Sequence, residues 1–181
     1  CVKCGNKTNK SFFQGFCYPC FISAPESSEC ILKPELCQAH EGISRDMEWS
    51  EKYCLSNHYV YLSLTSGIKV GVTRYTQIPT RWIDQGAHEA IEIVEVPNRY
   101  LAGITEVALK EHVSDKTSWR KMLQNEHEEV QWEKAINQAI DIGIIEKTGL
   151  NFPDERGSMN VVAESLNNAA FKYVDAYSEY V

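Results

Sequence analysis

The sequence predicts an α+β fold in three parts: a cysteine-rich module, a small antiparallel sheet with flanking helices, and a helical C-terminal extension. Three observations indicate it. All seven cysteines lie within the first 54 residues, β-branched and aromatic runs lie between residues 59 and 96, and helical spacing of apolar residues follows residue 100. We therefore place the domains at residues 1–57, 58–124 and 125–181.

Two C-x-x-C pairs open the chain, Cys1 with Cys4 and Cys17 with Cys20. The turn within such a pair directs both sulfurs at one ion, and Gly5 can supply the positive φ that the first turn needs. Four thiolates complete a tetrahedral site that suits structural zinc. The pairs therefore predict a zinc ribbon or zinc knuckle, with free thiols or a surface redox pair as the alternative.

A second group of potential ligands follows, with five candidates for at most four positions. Its members are Cys30, Cys37, His40, Cys54 and His58. The three cysteines with one histidine would form a Cys₃His site. Two cysteines with both histidines would form a Cys₂His₂ site and leave Cys30 out. Buried free cysteines are the remaining alternative, but a segment this polar has few other means of folding, which favours a second zinc ion.

Period-two and helical patterns predict the elements of the middle part. They are strands over residues 59–64, 68–73 and 90–96, a helix that begins near Pro79, and a helix over residues 101–113. The first two strands flank a turn with Gly67 and form a hairpin. Asn98 or Thr105 would cap the last helix. In the cysteine-rich part the apolar spacing is irregular, so we expect short hairpins and turns there.

The net charge of −7 is spread unevenly. Residues 58–124 carry eight basic and seven acidic side chains, whereas residues 125–181 carry four basic and eleven acidic ones. Nucleic-acid binding usually leaves a basic footprint, so only the middle part is compatible with it. Helices are expected over residues 126–147 and 161–180. Their acidic side chains indicate a solvated face, with the docking of a protein partner as the alternative.

Cysteine usage and hydropathy predict the cellular compartment of the protein. Clustered C-x-x-C pairs fit a reducing environment, so we expect a cytoplasmic protein. No apolar run is long enough to span a membrane, and no membrane partner is expected. Because the chain begins on a predicted ligand and not on Met, we expect a fragment of a longer protein.

Landmarks on the predicted sheet and helices form a recognisable series. Tyr59-Val-Tyr61 lies on the first strand, Lys69-Val-Gly71 on the second, Arg81 on the next helix and Glu106 on the later one. This series resembles the GIY-YIG nuclease superfamily, in which two tyrosines, an arginine and a glutamate converge on one phosphodiester. The resemblance covers residues 58–124. It implies a catalytic site of Tyr61, Lys69, Arg81 and Glu106, with Lys69 in place of the second tyrosine.

The same resemblance implies a mechanism that uses Mg²⁺ or Mn²⁺. Glu106 would hold the metal ion, Arg81 would bind phosphate, and Tyr61 or His58 would help to activate water. Lys69 can neutralise a phosphate, but lysine is a poor base unless its pKa falls. A site that binds nucleic acid without cleaving it is therefore the alternative.

Each landmark also has a purely structural explanation. Tyr61 is compatible with a core aromatic residue, and Arg81 with an ion pair to Asp84 or Glu89. Gly71 would be needed wherever another group approaches the strand closely. Only the convergence of the landmarks would favour a functional site.

Longer blocks carry a second resemblance. The cysteine-rich leader, residues 69–74, residues 79–87 and residues 115–120 resemble a bacterial family of uncharacterised zinc-containing proteins. The sequence thus predicts a zinc-containing protein that acts on or binds nucleic acid. Metal-dependent endonuclease activity is one hypothesis, a non-catalytic zinc-organised interaction module is the alternative, and a regulator that binds a small molecule near Arg81 is a third.

Overall fold

A computed structural model describes residues 1–111, 113, 118–124, 132 and 174–175. The strands are β1 (His58–Leu64), β2 (Ile68–Arg74), β3 (Glu89–Val96) and β4 (Val174–Asp175). The helices are α1 (Tyr18–Ser23), α2 (Met47–Tyr53), α3 (Thr80–Asp84), α4 (Arg99–Lys110) and α5 (Trp119–Leu123). The predicted α+β class is confirmed.

The sheet is antiparallel, with strand order β2-β1-β3-β4. In the β1–β2 hairpin Tyr61 lies opposite Gly71 and Ser63 lies opposite Lys69. The pairing of β1 with β3 shifts register between Val60 and Tyr61. The predicted hairpin and third strand are confirmed, and each strand end lies within one residue of the prediction.

Alternation of side chains gives the sheet two different faces. The α4 face is the main core, in which Val60, Leu62, Val70, Ile91 and Ile93 pack against Ala102 and Leu109 of α4. The α3 face carries a smaller cluster of Tyr61, Ala90, Trp82 and Ala87. A residue of β1 or β2 can therefore be assigned to one face by its parity along the strand.

Asn98, one of the two predicted caps, is the N-cap of α4. Its Oδ1 accepts a hydrogen bond from the backbone N–H of Leu101 at 2.9 Å. Thr105 lies inside the helix and donates its hydroxyl to the Leu101 carbonyl at 2.8 Å, so it is not a cap.

The cysteine-rich module consists mostly of short elements, as expected. It contains an isolated bridge between Phe12 and Phe16 and four 3₁₀ turns. The module also contains two short helices, α1 within the segment expected to form hairpins and turns, and after it α2. This helix forms because the Asp46 carboxylate accepts the backbone N–H of Trp49 at 2.9 Å and caps the first turn.

Contacts cross the predicted boundary between residues 57 and 58. The 3₁₀ turn Pro34–Leu36 lies directly on Gly103 of α4, where an added Cβ would be 2.1 Å from the backbone of that turn. Arg99, the first residue of α4, donates Nη1 to the Cys30 carbonyl at 3.3 Å and Nη2 to the Tyr53 carbonyl at 3.1 Å. These bonds fix the cysteine-rich module against the sheet.

The C-terminal predictions lie almost entirely outside the described residues. At Val174–Asp175 the predicted helix over residues 161–180 is wrong, because these residues pair with the β3 edge at Ala90 and Glu89. Backbone pairing there satisfies polar groups that an edge strand leaves open. Within the described part of the chain, no helix is long and apolar enough to cross a membrane.

Candidate metal centres and phosphate site

The first two C-x-x-C pairs form one four-sulfur cluster. The Sγ atoms of Cys1, Cys4, Cys17 and Cys20 all lie within 4.8 Å of one another. Cys4 Sγ and Cys17 Sγ are 3.8 Å apart, too far for a disulfide, and all four thiols are free. With metal–sulfur bonds of about 2.3 Å, a tetrahedral zinc ion spaces its ligands about 3.8 Å apart. The cluster therefore has the dimensions of a structural zinc site.

Local structure explains how these sulfurs meet. Gly5 has φ of 74° and donates its N–H to the Cys1 carbonyl at 2.9 Å, which closes the first turn as the sequence predicts. Cys17 directly precedes α1, so Cys20 lies within the first turn of that helix. Phe12 stacks on Phe21 with ring centroids 5.7 Å apart and supports the second pair from the side.

Mutual contact makes it unfavourable for all four thiols to ionise together. The Cys17 thiol raises the pKa of Cys20 to about 11. The backbone N–H of Asn6 lowers the pKa of Cys4, so this sulfur is the favoured thiolate. The remaining protons leave only when a cation is present to stabilise the negative charge, which is the role of a divalent metal ion.

A second cluster contains three sulfurs, from Cys30, Cys37 and Cys54, also within 4.8 Å of one another. Cys37 and Cys54 are buried. Hydrogen bonding from Cys30 and then from Cys54 lowers the pKa of the Cys37 thiol, and the Arg99 guanidinium adds to this effect. The backbone N–H of Arg99 also donates to the Cys54 carbonyl at 2.7 Å. Because Cys30 belongs to the cluster, the geometry does not favour the Cys₂His₂ arrangement that omits it.

The two candidate histidines lie in different environments, and neither ring belongs to the three-sulfur group. His40 is exposed and stacks on Tyr100, with ring centroids 4.4 Å apart. His58 is buried, and its Nδ1 lies 2.7 Å from the Ser56 carbonyl oxygen. Its Nε2 is buried and has no hydrogen-bond partner among the residues that the structure describes.

The environment of His58 holds its ring neutral. Burial lowers the pKa of His58 to about 4, and the nearby Arg99 and Arg74 contribute to the shift. With Nδ1–H donated to a carbonyl, Nε2 carries a lone pair, which is the form in which histidine binds zinc. His58 lies opposite Arg74 and shares the parity of Val60, which places it on the α4 face. It therefore does not share a face with Tyr61, and the predicted water-activating role of His58 is not supported.

The α3 face holds Tyr61, Gln85 and Arg81 in one hydrogen-bonded group. The Tyr61 hydroxyl lies 2.8 Å from the Gln85 amide. In the amide orientation that satisfies both neighbours, Gln85 Nε2 donates to this hydroxyl, and Oε1 accepts from Nε and Nη2 of Arg81 at 3.3 Å each. Arg81 is exposed. The amide thus fixes one edge of the guanidinium and leaves Nη1 available to a ligand.

Tyr61 itself is completely buried. Burial raises the pKa of Tyr61 to about 12, the positive charge of Arg81 opposes that rise, and the negative charge of Glu106 adds to it. The phenol is therefore protonated at neutral pH and does not act there as a general base. The charges of Arg81 and Glu106, two of the predicted site residues, therefore both act on the Tyr61 phenol.

Gly71 makes the position of the Tyr61 ring possible. An added Cβ at residue 71 would lie 2.5 Å from Tyr61 Cζ and 2.6 Å from its hydroxyl oxygen. The close approach expected at this glycine is thus made by the tyrosine across the hairpin. Any larger residue would push the ring away from Gln85.

Lys69 and Glu106 are the remaining predicted residues. Lys69 shares the face of Gly71, two residues along β2, and makes no ion pair among the described residues. Glu106 is in the second half of α4. Its carboxylate pairs with Lys110 at 3.1 Å, and its side chain is 13% exposed, so it is mostly enclosed.

The cysteine clusters and strands β1 to β3 fall within one family match. A model of the family described as "Protein of unknown function (DUF2797)" matches residues 1–173. The chain belongs to the DUF2797 family. No curated protein and no solved structure matches it. The resemblance to a family without assigned function is confirmed, while the zinc ribbon and the GIY-YIG resemblance stay predictions.

Two residues of the candidate sites in the DUF2797 chain, Gln85 and Arg99, were not predicted from the sequence. Gln85 follows Arg81 by four positions and therefore lies on the same helical side, a signal that was available from spacing. Arg99 had no such signal, because its partners are carbonyl groups of residues far away in the sequence.

We expect the DUF2797 chain to lose stability when Gln85 is replaced by Leu. The buried Tyr61 hydroxyl then loses its amide partner, and the free energy of unfolding falls by about 1–3 kcal/mol. Urea denaturation of Gln85→Leu beside Gln77→Leu, an exposed position, measures the effect. Adding Tyr61→Phe should recover part of the loss, because no orphaned hydroxyl remains. Equal stability of the two single variants would contradict the assigned hydrogen bond.

Proposed function

We propose that this protein is a zinc-organised nucleic-acid-binding protein that binds a backbone phosphate through the Arg81 guanidinium. One observation carries the proposal. Gln85 holds the guanidinium by Nε and Nη2, while the side chain remains exposed. A pre-oriented guanidinium loses little freedom when it binds an oxyanion, and its planar donors match phosphate geometry.

The charges near Arg81 support the binding of an anion. No carboxylate forms an ion pair with Arg81 among the described residues, so the expected pairs with Asp84 and Glu89 are not made. Lys69 adds a second cation on the same face. A local pair of cations is sufficient for a phosphate contact even though the whole chain carries a charge of −7.

Tyr61 serves this site as a positioning residue. Its hydroxyl is buried and protonated, so it orients Gln85 and does not exchange protons with a ligand at neutral pH. This arrangement favours the binding hypothesis over a mechanism in which Tyr61 activates water.

Each cysteine cluster holds one zinc ion in this proposal, and His58 completes the second site. The neutral His58 ring has a buried, unpartnered Nε2 and a fixed Nδ1, whereas the His40 ring is stacked on Tyr100 and exposed. Movement of the His58 ring to the three sulfurs would complete a Cys₃His site. Zinc bound in this way stabilises the fold and takes no part in chemistry. A reducing cytoplasmic compartment would keep the thiols available for it.

Phosphodiester cleavage is a second candidate function, favoured by the electrostatic influence of both Glu106 and Arg81 on Tyr61. Glu106 would release Lys110 and hold Mg²⁺ or Mn²⁺. The oxygen of water would bond to phosphorus while one ester P–O bond breaks, and the leaving oxygen would take up a proton. A protein partner that docks on the acidic residues 125–181 remains a proposal on sequence grounds.

We expect Arg81→Gln to weaken binding of a fluorescein-labelled 20-nucleotide strand and to lower the slope of log K against log salt by about one. The cause is the loss of one phosphate contact. Anisotropy titrations at several salt concentrations measure both quantities. Lys33→Gln is the matched control, because Lys33 is an exposed cation beside the turn that packs on α4. Wild-type protein that binds no strand would contradict the proposal.

For the cleavage function, the full chain with Mn²⁺ is expected to cut a labelled panel of single-stranded, duplex and branched substrates. Glu106→Gln should abolish cutting and leave strand binding intact, because only the metal carboxylate is lost. Glu111→Gln, which changes an exposed carboxylate at the C-terminal end of α4, is the control. If wild-type protein binds the strand but does not cut it, the cleavage function is contradicted and the binding function stands.

Two zinc ions per chain are expected by atomic emission, and chelation should lower the unfolding temperature because zinc binds the folded state. Zinc affinity should also fall as the pH drops, since protons compete for the thiolates. His58→Ala should release about one zinc ion to a competing chelator, whereas His40→Ala should retain both. The reverse result would assign His40 as the ligand, and one zinc ion in the wild type would remove the second site.

A further inference from the structure

An exposed aromatic pair, Tyr59 and Tyr75, lies one strand row from Tyr61, which orients Arg81 through Gln85. The rings of Tyr59 and Tyr75 are 6.1 Å apart between centroids, with planes inclined at 43°. Tyr75 is 69% exposed, whereas Tyr59 is half-buried. Tyr75 stands at the start of the 3₁₀ turn that follows β2, so its backbone is fixed by the end of the strand.

The strand register places this pair one step from the Arg81 site. Tyr59 lies opposite Thr73, and Tyr61 lies opposite Gly71, in successive rows on the same face. Two residues of a strand span roughly 6–7 Å, a length comparable to one nucleotide step of an extended single strand. A base attached to the phosphate at Arg81 can therefore reach the Tyr75 ring.

Tyr59 is the less exposed ring of the pair. Burial, and after it the neighbouring Glu95, raises the pKa of Tyr59 to about 12. Strand pairing with Thr73 and Glu95 fixes the backbone of Tyr59, and Tyr75 contacts its ring. Stacking on a ring that is already held in place costs little conformational entropy.

Charge on this face defines a path along β2. Lys69 lies one row beyond Gly71, on the opposite side from Tyr59. On the β3 side, Glu95 pairs with Tyr59 and Glu92 pairs with Tyr61 in the strand register. Those carboxylates disfavour a phosphate backbone over β3, whereas Lys69 on β2 and Arg81 on α3 supply the cations of this face.

We infer that this face binds an unpaired nucleic-acid strand, with a phosphate at Arg81 and the neighbouring base stacked on Tyr75. The inference rests on the proposed function and adds its substrate class. Base faces are accessible in single strands, loops and ends, whereas in a duplex they are covered by neighbouring pairs. Stacking accepts every base, so this contact selects strandedness and not sequence.

The test compares a labelled single strand with the same sequence as a duplex, both bound to the full chain and followed by anisotropy. Wild-type protein should bind the single strand more tightly. Tyr75→Ala should weaken single-strand binding about tenfold or more, with little change for the duplex and an unchanged salt slope. Tyr75→Phe, which keeps the ring, should bind as the wild type does.

A tyrosine elsewhere provides the matched control. Tyr18→Ala removes an exposed tyrosine from the cysteine-rich module and should leave both affinities unchanged. If Tyr75→Ala binds single strands normally while Arg81→Gln does not, the stacking inference is overturned and the phosphate site stands. Tighter binding of the duplex by wild-type protein would also overturn it. If no nucleic acid binds, the proposed function itself fails.

Discussion

Arg99 connects the two halves of the described structure. Its side chain and backbone together bond to three carbonyl groups of the cysteine-rich module, at Cys30, Tyr53 and Cys54. The same residue begins α4, which covers the main core of the sheet. Because the Arg99 side chain bonds to Cys30 and to the last residue of α2, and its backbone N–H bonds to Cys54, the second cluster is coupled directly to α4.

This connection gives the second cluster a different place in the fold from the first. The four-sulfur cluster stabilises a short segment near Phe12 and α1, where few large side chains are buried. The three-sulfur cluster lies between α2 and α4 and is continuous with the body of the protein. Loss of metal from the first site would loosen one end, whereas loss from the second would disturb the support of the sheet.

The two faces of the sheet differ in composition and packing. The α4 face is apolar and closely packed, apart from the buried His58 at its edge. The α3 face buries only a small cluster and carries polar groups above it, with Tyr61 supporting Gln85 and Gln85 supporting Arg81. The short helix α3 contributes Trp82 to this small cluster, whereas the longer α4 covers the main core.

Much of the fold could be predicted from the sequence, because the signals were local. The hairpin, the third strand and the cap at Asn98 follow from alternation, turn chemistry and a side-chain acceptor at the right position. The helix α2 does not follow from apolar spacing, which is irregular there, and its local signal is the Asp46 cap alone. The pairing of Val174 and Asp175 with β3 had no local signal, since strand pairing over such a distance depends on the folded sheet.

The candidate sites could also be predicted only in part, where the signals were local. Spacing alone identified the sulfurs of both clusters, and resemblance identified Tyr61, Arg81 and Glu106. The contribution of Gln85 required the folded arrangement, since only the hydrogen bonds show that it joins Tyr61 to Arg81. The choice between His40 and His58 likewise depended on burial and on the Ser56 carbonyl, which the sequence does not reveal.

The contact between Tyr61 and Gly71 has a consequence for how such chains can diverge. The ring occupies the space of the missing side chain at residue 71, so neither position can change freely while the other stays fixed. A chain that exchanges the glycine for a larger residue must shrink or move the aromatic residue across the hairpin, and with it the support for Gln85. The two positions are therefore expected to change together. A chain in which only one of them changes would keep the sheet but lose the support that places Arg81.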